Sequence, residues 1–247
     1  PDCLFTGVHQ KLTIIIASKK SDAKGYFSSS YNYWYKQERD ELFNRDGIIE
    51  VSPNIELYIP KLGNKTERDI FDKCVLGLLD KSLYDYLQPI SGPTADAVYI
   101  NMRNCFWIKA FSFNPGSSEY KGFSCTSGHI DFIRCLLNSS LFFFFWIAVS
   151  DCWHITSKEI QLFRMPNPGE DLTIFSALSK RLEEQLESTK VYVGTKQTEY
   201  EYKHKLCKDI IDEIDDAIAP YYNLEETQTE YLKNFILKYR LSDGAKL

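Results

Sequence analysis

The sequence lacks the features that mark membrane-spanning chains, disulfide-stabilised domains and zinc knuckles. Its longest uninterrupted apolar run, residues 141–149, is nine residues long, whereas about twenty are needed to cross a bilayer. The seven cysteines are an odd number and include no C-x-x-C pair, which argues against a disulfide framework and a zinc knuckle. These absences predict a protein that does not enter a membrane and that works in a reducing cytoplasm.

The sequence also lacks a surplus of positive charge. Its formal net charge is −5 at pH 7, and affinity for a phosphate backbone comes from clustered Lys and Arg. The charge is uneven, because residues 101–165 carry six basic and four acidic side chains, whereas residues 181–247 carry ten basic and fourteen acidic ones. The centre is therefore mildly basic, which is compatible with weak DNA contact and also with none.

What the sequence does contain is enough apolar material for one sizeable core or two modest ones, with 44% hydrophobic and 15% aromatic residues. Alternating and β-branched runs predict strands, and apolar spacing predicts helices. The predicted strands are 12–17 and 26–35 as a hairpin, 55–59, 97–102, 106–113 and 121–125. The predicted helices are 38–43, 66–87 with Thr66 as its cap, 130–137, 141–149, one capped by Thr156, 172–189, 199–219 and 225–239.

Three segments carry a resemblance to a known family. Residues 136–166 read LLNSSLFFFFWIAVSDCWHITSKEIQLFRMP, residues 5–16 read FTGVHQKLTIII, and residues 211–240 contain IDEIDDAIA, YYNL and FILKYR. They resemble, in that order, the target-recognition region, a late segment of the catalytic domain and the C-terminal helix pair of restriction-modification DNA adenine-N6 methyltransferases, including the single-chain type IIG enzymes. Lys11 stands where the family has Arg.

The catalytic motifs of that family are missing. The family needs a Gly-rich loop for the methyl donor and an Asn-Pro-Pro-Tyr loop that holds a flipped adenine, and the nearest strings, Asn114-Pro115-Gly116 and Asn167-Pro168-Gly169, are typical of turns. The resemblance therefore implies a C-terminal piece of a longer enzyme, without catalytic residues, metal ligands or a cofactor of its own. S-adenosylmethionine would belong to the parent, whose N-terminal methyltransferase domain is an expected partner.

The resemblance and the predicted elements together indicate an α+β fold in four parts. We expect residues 1–64 to end the methyltransferase domain, 65–92 to form a connecting helix, 93–170 to form the target-recognition domain around a small mixed sheet, and 171–247 to form a helical region. The aromatic cluster at 142–146 is predicted to pack under the small sheet.

Double-stranded DNA is the other expected partner. Phosphate contacts use Lys, Arg, Ser and Asn, and base edges are read by Arg, Lys, Asn and Gln. Polar residues near the strand ends of the small sheet meet this requirement, although the same residues are also typical of solvated loops. The candidate DNA-binding residues are Arg103, Asn104, Lys109, Asn114 and Lys121.

Three other groups favour structural interpretations. In the Asp-Cys-x-His string we expect Asp151 to cap a turn and His154 to bond the backbone, rather than to bind a metal. The acidic residues Asp212, Glu213, Asp215 and Asp216 are interpreted as a solvated helix face. The cluster Tyr31, Tyr33, Trp34 and Tyr35 is interpreted as an aromatic core of the hairpin, with stacking on a nucleobase as the alternative.

Two further functions stay open at this point. One is a specificity subunit without chemistry that serves separate methylation and restriction subunits, and the other is a helical docking module. The hairpin predicted within residues 5–35 would separate the first from a methyltransferase piece, because a free specificity subunit has no use for the edge of a catalytic sheet. Whether the parent also carries an endonuclease is open as well.

Overall fold

The computed structural model describes residues 12–17, 19, 25–42, 44–45, 47–52, 58–76, 81–90, 92, 94, 96–125, 128–195 and 198–242. These residues form helices and small antiparallel sheets, so the predicted α+β class is confirmed. The strands are β1 (Tyr26–Ser29), β2 (Ile48–Val51), β3 (Lys81–Ser82), β4 (Leu87–Pro89), β5 (Ala97–Asn101), β6 (Ala110–Phe111), β7 (Tyr120–Cys125), β8 (Arg164–Met165), β9 (Val191–Tyr192) and β10 (Tyr200–Glu201). The α-helices are α1 (Lys65–Val75), α2 (Ile130–Asn138), α3 (Ser140–Val149), α4 (Ser157–Leu162), α5 (Thr173–Thr189), α6 (Lys208–Ile218), α7 (Glu226–Asn234) and α8 (Leu237–Arg240), and 3₁₀ turns occur at Lys36–Glu41, Leu83–Tyr86, His204–Cys207 and Ala219–Tyr222.

The largest sheet has the strand order β4-β7-β5-β6, and its neighbouring strands are antiparallel. The strands predicted at 97–102 and 121–125 are confirmed as β5 and β7. The strand predicted at 106–113 is reduced to β6, because Phe106 and Trp107 bond the C-terminal segment instead. The Phe106 carbonyl accepts a hydrogen bond from Arg240 Nε at 3.2 Å, and Trp107 Nε1 donates to the Arg240 carbonyl at 3.2 Å.

The predicted hairpin between residues 12–17 and 26–35 is wrong. Residues 12–17 form no strand, and β1 instead pairs with β2, with Tyr26 opposite Val51 and Ser29 opposite Ile48. Alternation of side chains marks a strand but does not select its partner. The strand predicted at 55–59 falls mostly on residues outside the described part, and the helix predicted at 38–43 is the 3₁₀ turn Lys36–Glu41.

The long helix predicted at 66–87 is also wrong. Helix α1 ends at Val75, and the chain continues into β3, a 3₁₀ turn and β4. The cap is Asn64 rather than Thr66, because Asn64 Oδ1 accepts the Glu67 backbone N–H at 2.9 Å. Farther on, Leu83 N–H donates to the Phe163 carbonyl and β4 pairs with β7. Tertiary pairing thus overrides a helical apolar spacing in this segment.

The break predicted between two helices at residues 138–140 is confirmed. Ser139 caps α3, since its Oγ accepts the Phe142 N–H at 3.1 Å. The Asn138 amide donates to the Ala110 carbonyl at 2.8 Å and accepts the Ala110 N–H at 3.3 Å, so it pairs with the edge of β6 as a backbone strand would. Asn138 and Ser139 at the break therefore satisfy backbone groups of β6 and of the first turn of α3.

Helix α3 forms the centre of the hydrophobic core. All ten of its residues are buried, as expected for a helix that is apolar on every side. It packs mainly among α1, α2, α6 and α7, whereas α2 contacts β5 and β6. The prediction that the 142–146 cluster packs under the sheet is therefore wrong: the neighbouring helix lies there instead. Phe145 meets Phe71 and Phe163, and Phe144 meets Phe235 edge to face at 5.1 Å.

The C-terminal third is helical but more interrupted than expected. The helix predicted at 172–189 is confirmed as α5, whereas 199–219 contains β10, a 3₁₀ turn and α6. The helix predicted at 225–239 is divided into α7 and α8 by Ile236, whose φ of 46° is left-handed. Helices α6 and α7 contact α3, so this third of the chain contributes to the core.

Two buried charged residues, Asp215 and Arg240, connect these helices. The assignment of Asp215 to a solvated helix face is therefore wrong. Asp215 Oδ1 accepts the Ser140 backbone N–H at 2.8 Å, and Arg240 Nη1 donates to Ser140 Oγ at 3.3 Å. The Arg240 guanidinium lies 3.9 Å from the Trp107 ring centroid and 4.5 Å from that of Phe143. Burial raises the pKa of Asp215 to about 6, although the Ser140 hydrogen bonds and the Arg240 charge oppose this. Burial also lowers the pKa of Arg240 to about 10.

Among the described residues, no single helix is long and apolar enough to cross a membrane; α2 and α3, bent by 63° at their junction, reach the required length and composition only as a pair.

Replacing Asp215 by Asn should change how stability depends on pH. The folded pKa of Asp215, about 6, exceeds the usual 3.8. The folded state therefore binds this proton more tightly, and the resulting stabilisation is complete below pH 3.8 and lost as the pH rises through 6. From pH 4 to 7 the wild type should lose about 2 kcal/mol relative to Asp215→Asn. Urea unfolding at several pH values measures this difference. The matched control is Asp216→Asn, since Asp216 is exposed on the same helix; parallel profiles for wild type and Asp215→Asn would contradict the assignment.

Candidate nucleic-acid interface

The loop between α3 and α4 is joined to the end of β5. Arg103 and His154 form an antiparallel β-bridge. Next to it, the Asn104 N–H donates to the Trp153 carbonyl at 2.9 Å and the Ile155 N–H donates to the Met102 carbonyl at 3.0 Å. We call residues 101–104 and 150–156 the junction. It attaches a candidate DNA-binding residue, Arg103, to the polar half of the segment that carries the family resemblance.

Asp151 builds the turn within the junction. Its Oδ1 accepts the backbone N–H groups of Trp153 at 2.8 Å and His154 at 2.7 Å, and its Oδ2 lies 2.7 Å from His154 Nδ1. Burial by itself raises the pKa of Asp151, but the hydrogen bonds from His154 and Trp153 outweigh it, so the pKa lies below its usual value. The predicted turn cap is confirmed. His154, however, pairs through its side chain with Asp151 rather than with the backbone.

The core fixes the rest of the loop. Trp146 Nε1, on α3, donates to the His154 carbonyl at 2.8 Å. Ser150 Oγ accepts the Cys152 N–H at 2.9 Å, and Cys152 has a φ of 57°, which is uncommon for a residue with a Cβ. Downstream, the predicted capping box is confirmed, because Glu159 accepts from both the N–H and the Oγ1 of Thr156. The junction is therefore held between two helices and a strand.

Two lysines beside the junction serve the end of α3. Lys61 Nζ donates to the Ser150 carbonyl at 2.7 Å, and Lys158 Nζ donates to the Val149 carbonyl at 3.1 Å. Cations near a helix C-terminus offset its partial negative charge. Burial lowers the pKa of Lys61, and the neighbouring Lys158 adds to this effect. We therefore interpret both lysines as structural rather than as phosphate ligands.

Trp153, Arg103 and His154 are among the exposed side chains of the junction. Trp153 is 48% exposed. The Trp153 and His154 rings lie 6.5 Å apart, edge to face. Arg103 Nη1 forms an ion pair with Glu119 Oε1 at 3.0 Å. An exposed indole, an imidazole and a guanidinium therefore occur together on a firmly held turn.

The other candidate residues are placed differently. Lys121 is exposed on β7, two residues after Glu119, and Asn114 is exposed, with its Oδ1 accepting the Gly116 N–H at 2.9 Å. Lys109 is half-buried, and burial lowers its pKa. Asn104 is buried, and its amide donates to the Asn101 carbonyl at 2.6 Å. The fold thus presents Arg103, Lys121 and Asn114 to solvent but not Asn104.

Sequence reasoning did not select Trp153 or His154 as contact residues. The available signal was the Ser-Asp-Cys-Trp-His string, because an Asp able to cap the two following N–H groups turns the chain and exposes an intervening aromatic. The imidazole of His154 pairs with the carboxylate of Asp151. Within the described residues, no three His, Cys, Asp or Glu side chains are grouped as metal ligands would be; His9 lies outside them.

No family model matches the sequence, and no curated protein or solved structure matches it either.

Replacing Asp151 by Ala should loosen the junction. The change removes the acceptor of two backbone N–H groups and the partner of His154, so the free energy of unfolding should fall by about 1–2 kcal/mol. Amide hydrogen exchange at Trp153 and His154 should accelerate. Asp171→Ala serves as the control, since Asp171 accepts the Thr173 N–H from an exposed position. Unchanged exchange at Trp153 in Asp151→Ala would show that Asp151 does not hold this turn.

Proposed function

We propose that this chain recognises a short sequence of double-stranded DNA on behalf of an S-adenosylmethionine-dependent adenine-N6 methyltransferase of a restriction-modification system. The observation that carries the proposal is the antiparallel bridge between Arg103 and His154. Arg103 is a candidate because of its chemistry, whereas His154 belongs to the segment that resembles a target-recognition region. Two separate signals therefore meet at one exposed place.

The side chains of the junction suit contact with DNA. An arginine guanidinium can bond the two acceptors of a guanine edge or a phosphate group with two parallel hydrogen bonds. Its ion pair with Glu119 uses Nη1 and positions the side chain. The exposed Trp153 ring offers an apolar face to a sugar or a base. Because the turn is bonded to β5 and α3, little ordering is needed on binding.

The electrostatic contribution of this surface is modest. Lys61 and Lys158 bond backbone carbonyls at the end of α3, so Arg103 and Lys121 are the cations that the proposal relies on. A few phosphate contacts give a shallow dependence of affinity on salt, since each adds a slope of about one. Such a surface suits a reader that a larger enzyme delivers to DNA.

The proposal assigns the chemistry to a partner. The N-terminal methyltransferase domain of the parent would hold S-adenosylmethionine, flip the target adenine and transfer the methyl group. This chain would have no catalytic role. A reducing cytoplasm is the proposed location, and the odd number of cysteines without a C-x-x-C pair supports it.

A specificity subunit without chemistry remains a second candidate. The pairing of β1 with β2 favours it, because the hairpin that would have closed a catalytic sheet does not form. A docking role for the C-terminal helices has less support, since Asp215 and Arg240 are built into the core. Deleting residues 199–247 would consequently damage the fold and cannot test docking.

Selection of bound duplexes from a randomised DNA pool at low salt tests the proposal. We expect a short enriched motif that contains an adenine. Arg103→Ala and Trp153→Ala should each weaken binding to that motif by about ten-fold, because one good contact contributes about 1–3 kcal/mol. Fluorescence anisotropy with the selected duplex measures the affinities.

Arg181→Ala is the matched control for this experiment. Arg181 is an ion-paired arginine on α5 whose side chain is 50% exposed, close to the 55% of Arg103. An equal loss of affinity in both arginine variants would mean general charge attraction rather than recognition at the junction. No binding at low salt would exclude the DNA-binding proposal for this chain.

A further inference from the structure

A second concave site lies between the segment that follows β1 and the turn that joins α7 to α8. It is a cleft of about 310 Å³, which is at the lower end of the range for small-molecule sites. Five aromatic residues contribute to its lining: Tyr31, Tyr33, Tyr231, Phe235 and Tyr239. We call it the tyrosine cleft. None of the residues that line it belongs to the junction.

The rings of the cleft form two aromatic groups, one of Tyr31, Tyr33 and Tyr239 and one of Tyr231 and Phe235. Tyr31 and Tyr33 lie edge to face at 4.7 Å, Tyr33 and Tyr239 are 5.6 Å apart, and Tyr231 and Phe235 are 6.2 Å apart. Aromatic faces carry partial negative charge. Several rings around one small space therefore attract an organic cation.

The cleft also contains a buried carboxylate. Glu67 lines the cleft and is only 2% exposed. Its donors are neutral: the Ser30 hydroxyl at 2.7 Å, the Gly63 N–H at 2.7 Å and the Tyr231 hydroxyl at 2.6 Å. None of the ion pairs formed by the described residues includes Glu67. Buried charges are normally paired, so the cleft has a negative charge that no adjacent cation from the described part of the chain balances.

The nearest cation of the lining does not supply that balance. Arg45 Nη1 lies 3.5 Å from Glu38 Oε1 and 3.4 Å from the Tyr239 hydroxyl. Glu38 also bonds Lys238, which extends into solvent. The guanidinium is thus directed to Glu38 and Tyr239 at the rim.

The backbone of the cleft is strained. Ile236, which contributes to the lining, has a φ of 46°. A β-branched residue in the left-handed region is a strained outlier. The N–H groups of Tyr239 and Arg240 both bond the Ile236 carbonyl and hold it there. Strain of this kind concentrates at ligand-binding sites, which agrees with a preformed cleft.

We propose that the tyrosine cleft binds a small organic cation with a quaternary ammonium group. The hydrogen bonds of Glu67 decide the type of cation. Its two oxygens already accept from three donors, so a primary amine or a guanidinium would find few acceptors for its own N–H groups. A quaternary ammonium has no N–H to satisfy and interacts through its charge with the rings and the carboxylate.

Titration of the full chain with choline chloride, followed by calorimetry and without DNA, tests this inference. The neutral comparison ligand is 3,3-dimethyl-1-butanol, in which carbon replaces the charged nitrogen. Choline should bind saturably and at least about ten-fold more tightly than this alcohol, because the cation–ring attraction depends on the charge. Equal affinity for the two compounds, or no saturable choline binding in the millimolar range, overturns the proposal.

Variants locate the binding. Tyr31→Leu should abolish the preference for choline, whereas Tyr31→Phe should retain it, since only the latter keeps an aromatic face. Glu67→Gln should weaken choline binding and leave that of the alcohol unchanged. Tyr84→Leu is the control, because Tyr84 is an exposed tyrosine outside the cleft. If Glu67→Gln fails to fold by circular dichroism, the two Tyr31 variants still decide; unchanged choline affinity in Tyr31→Leu overturns the assignment.

Discussion

The buried guanidinium of Arg240 is the constraint on which much of this structure depends. It stacks between Trp107 and Phe143, and it bonds the Phe106 carbonyl and the Ser140 hydroxyl. Asp215, which bonds the Ser140 N–H, supplies an opposing charge that partly offsets the effect of burial on the pKa of Arg240. One side chain near the C-terminus thus connects the start of α3, α6 and the loop that follows β5. A buried cation tolerates this position only because its hydrogen bonds and aromatic neighbours replace water.

The junction is attached to the hydrophobic core at the C-terminal end of α3. Trp146 bonds the His154 carbonyl, while Lys61 and Lys158 bond the last carbonyls of the helix. Because α3 is buried on all sides, its C-terminus has a fixed position, and the loop that follows begins from a rigid point. The exposed Trp153 lies on this loop, and Arg103 is bridged to the loop from the end of β5. Sites held in this way lose little conformational entropy on binding.

The tyrosine cleft and the junction are separate sites that share one support. Tyr33 packs at 5.2 Å from Phe106, whose carbonyl accepts Arg240 Nε. Phe106 in turn follows Arg103 by three residues in the chain. The two proposals nevertheless stand on different residues and are tested independently.

The sequence by itself determined the elements whose signals are local. The strands β5 and β7, the break at Asn138–Ser140, the capping box of Thr156 and Glu159 and the turn at Asp151 follow from alternation and from hydrogen bonds between residues two to four positions apart. Tertiary structure alone decided the rest. Alternation could not select β2 as the partner of β1, helical spacing could not end α1 at Val75, and an acidic string could not reveal that Asp215 meets Ser140 and Arg240. These outcomes depend on contacts between distant segments, whose free energy outweighs local propensity.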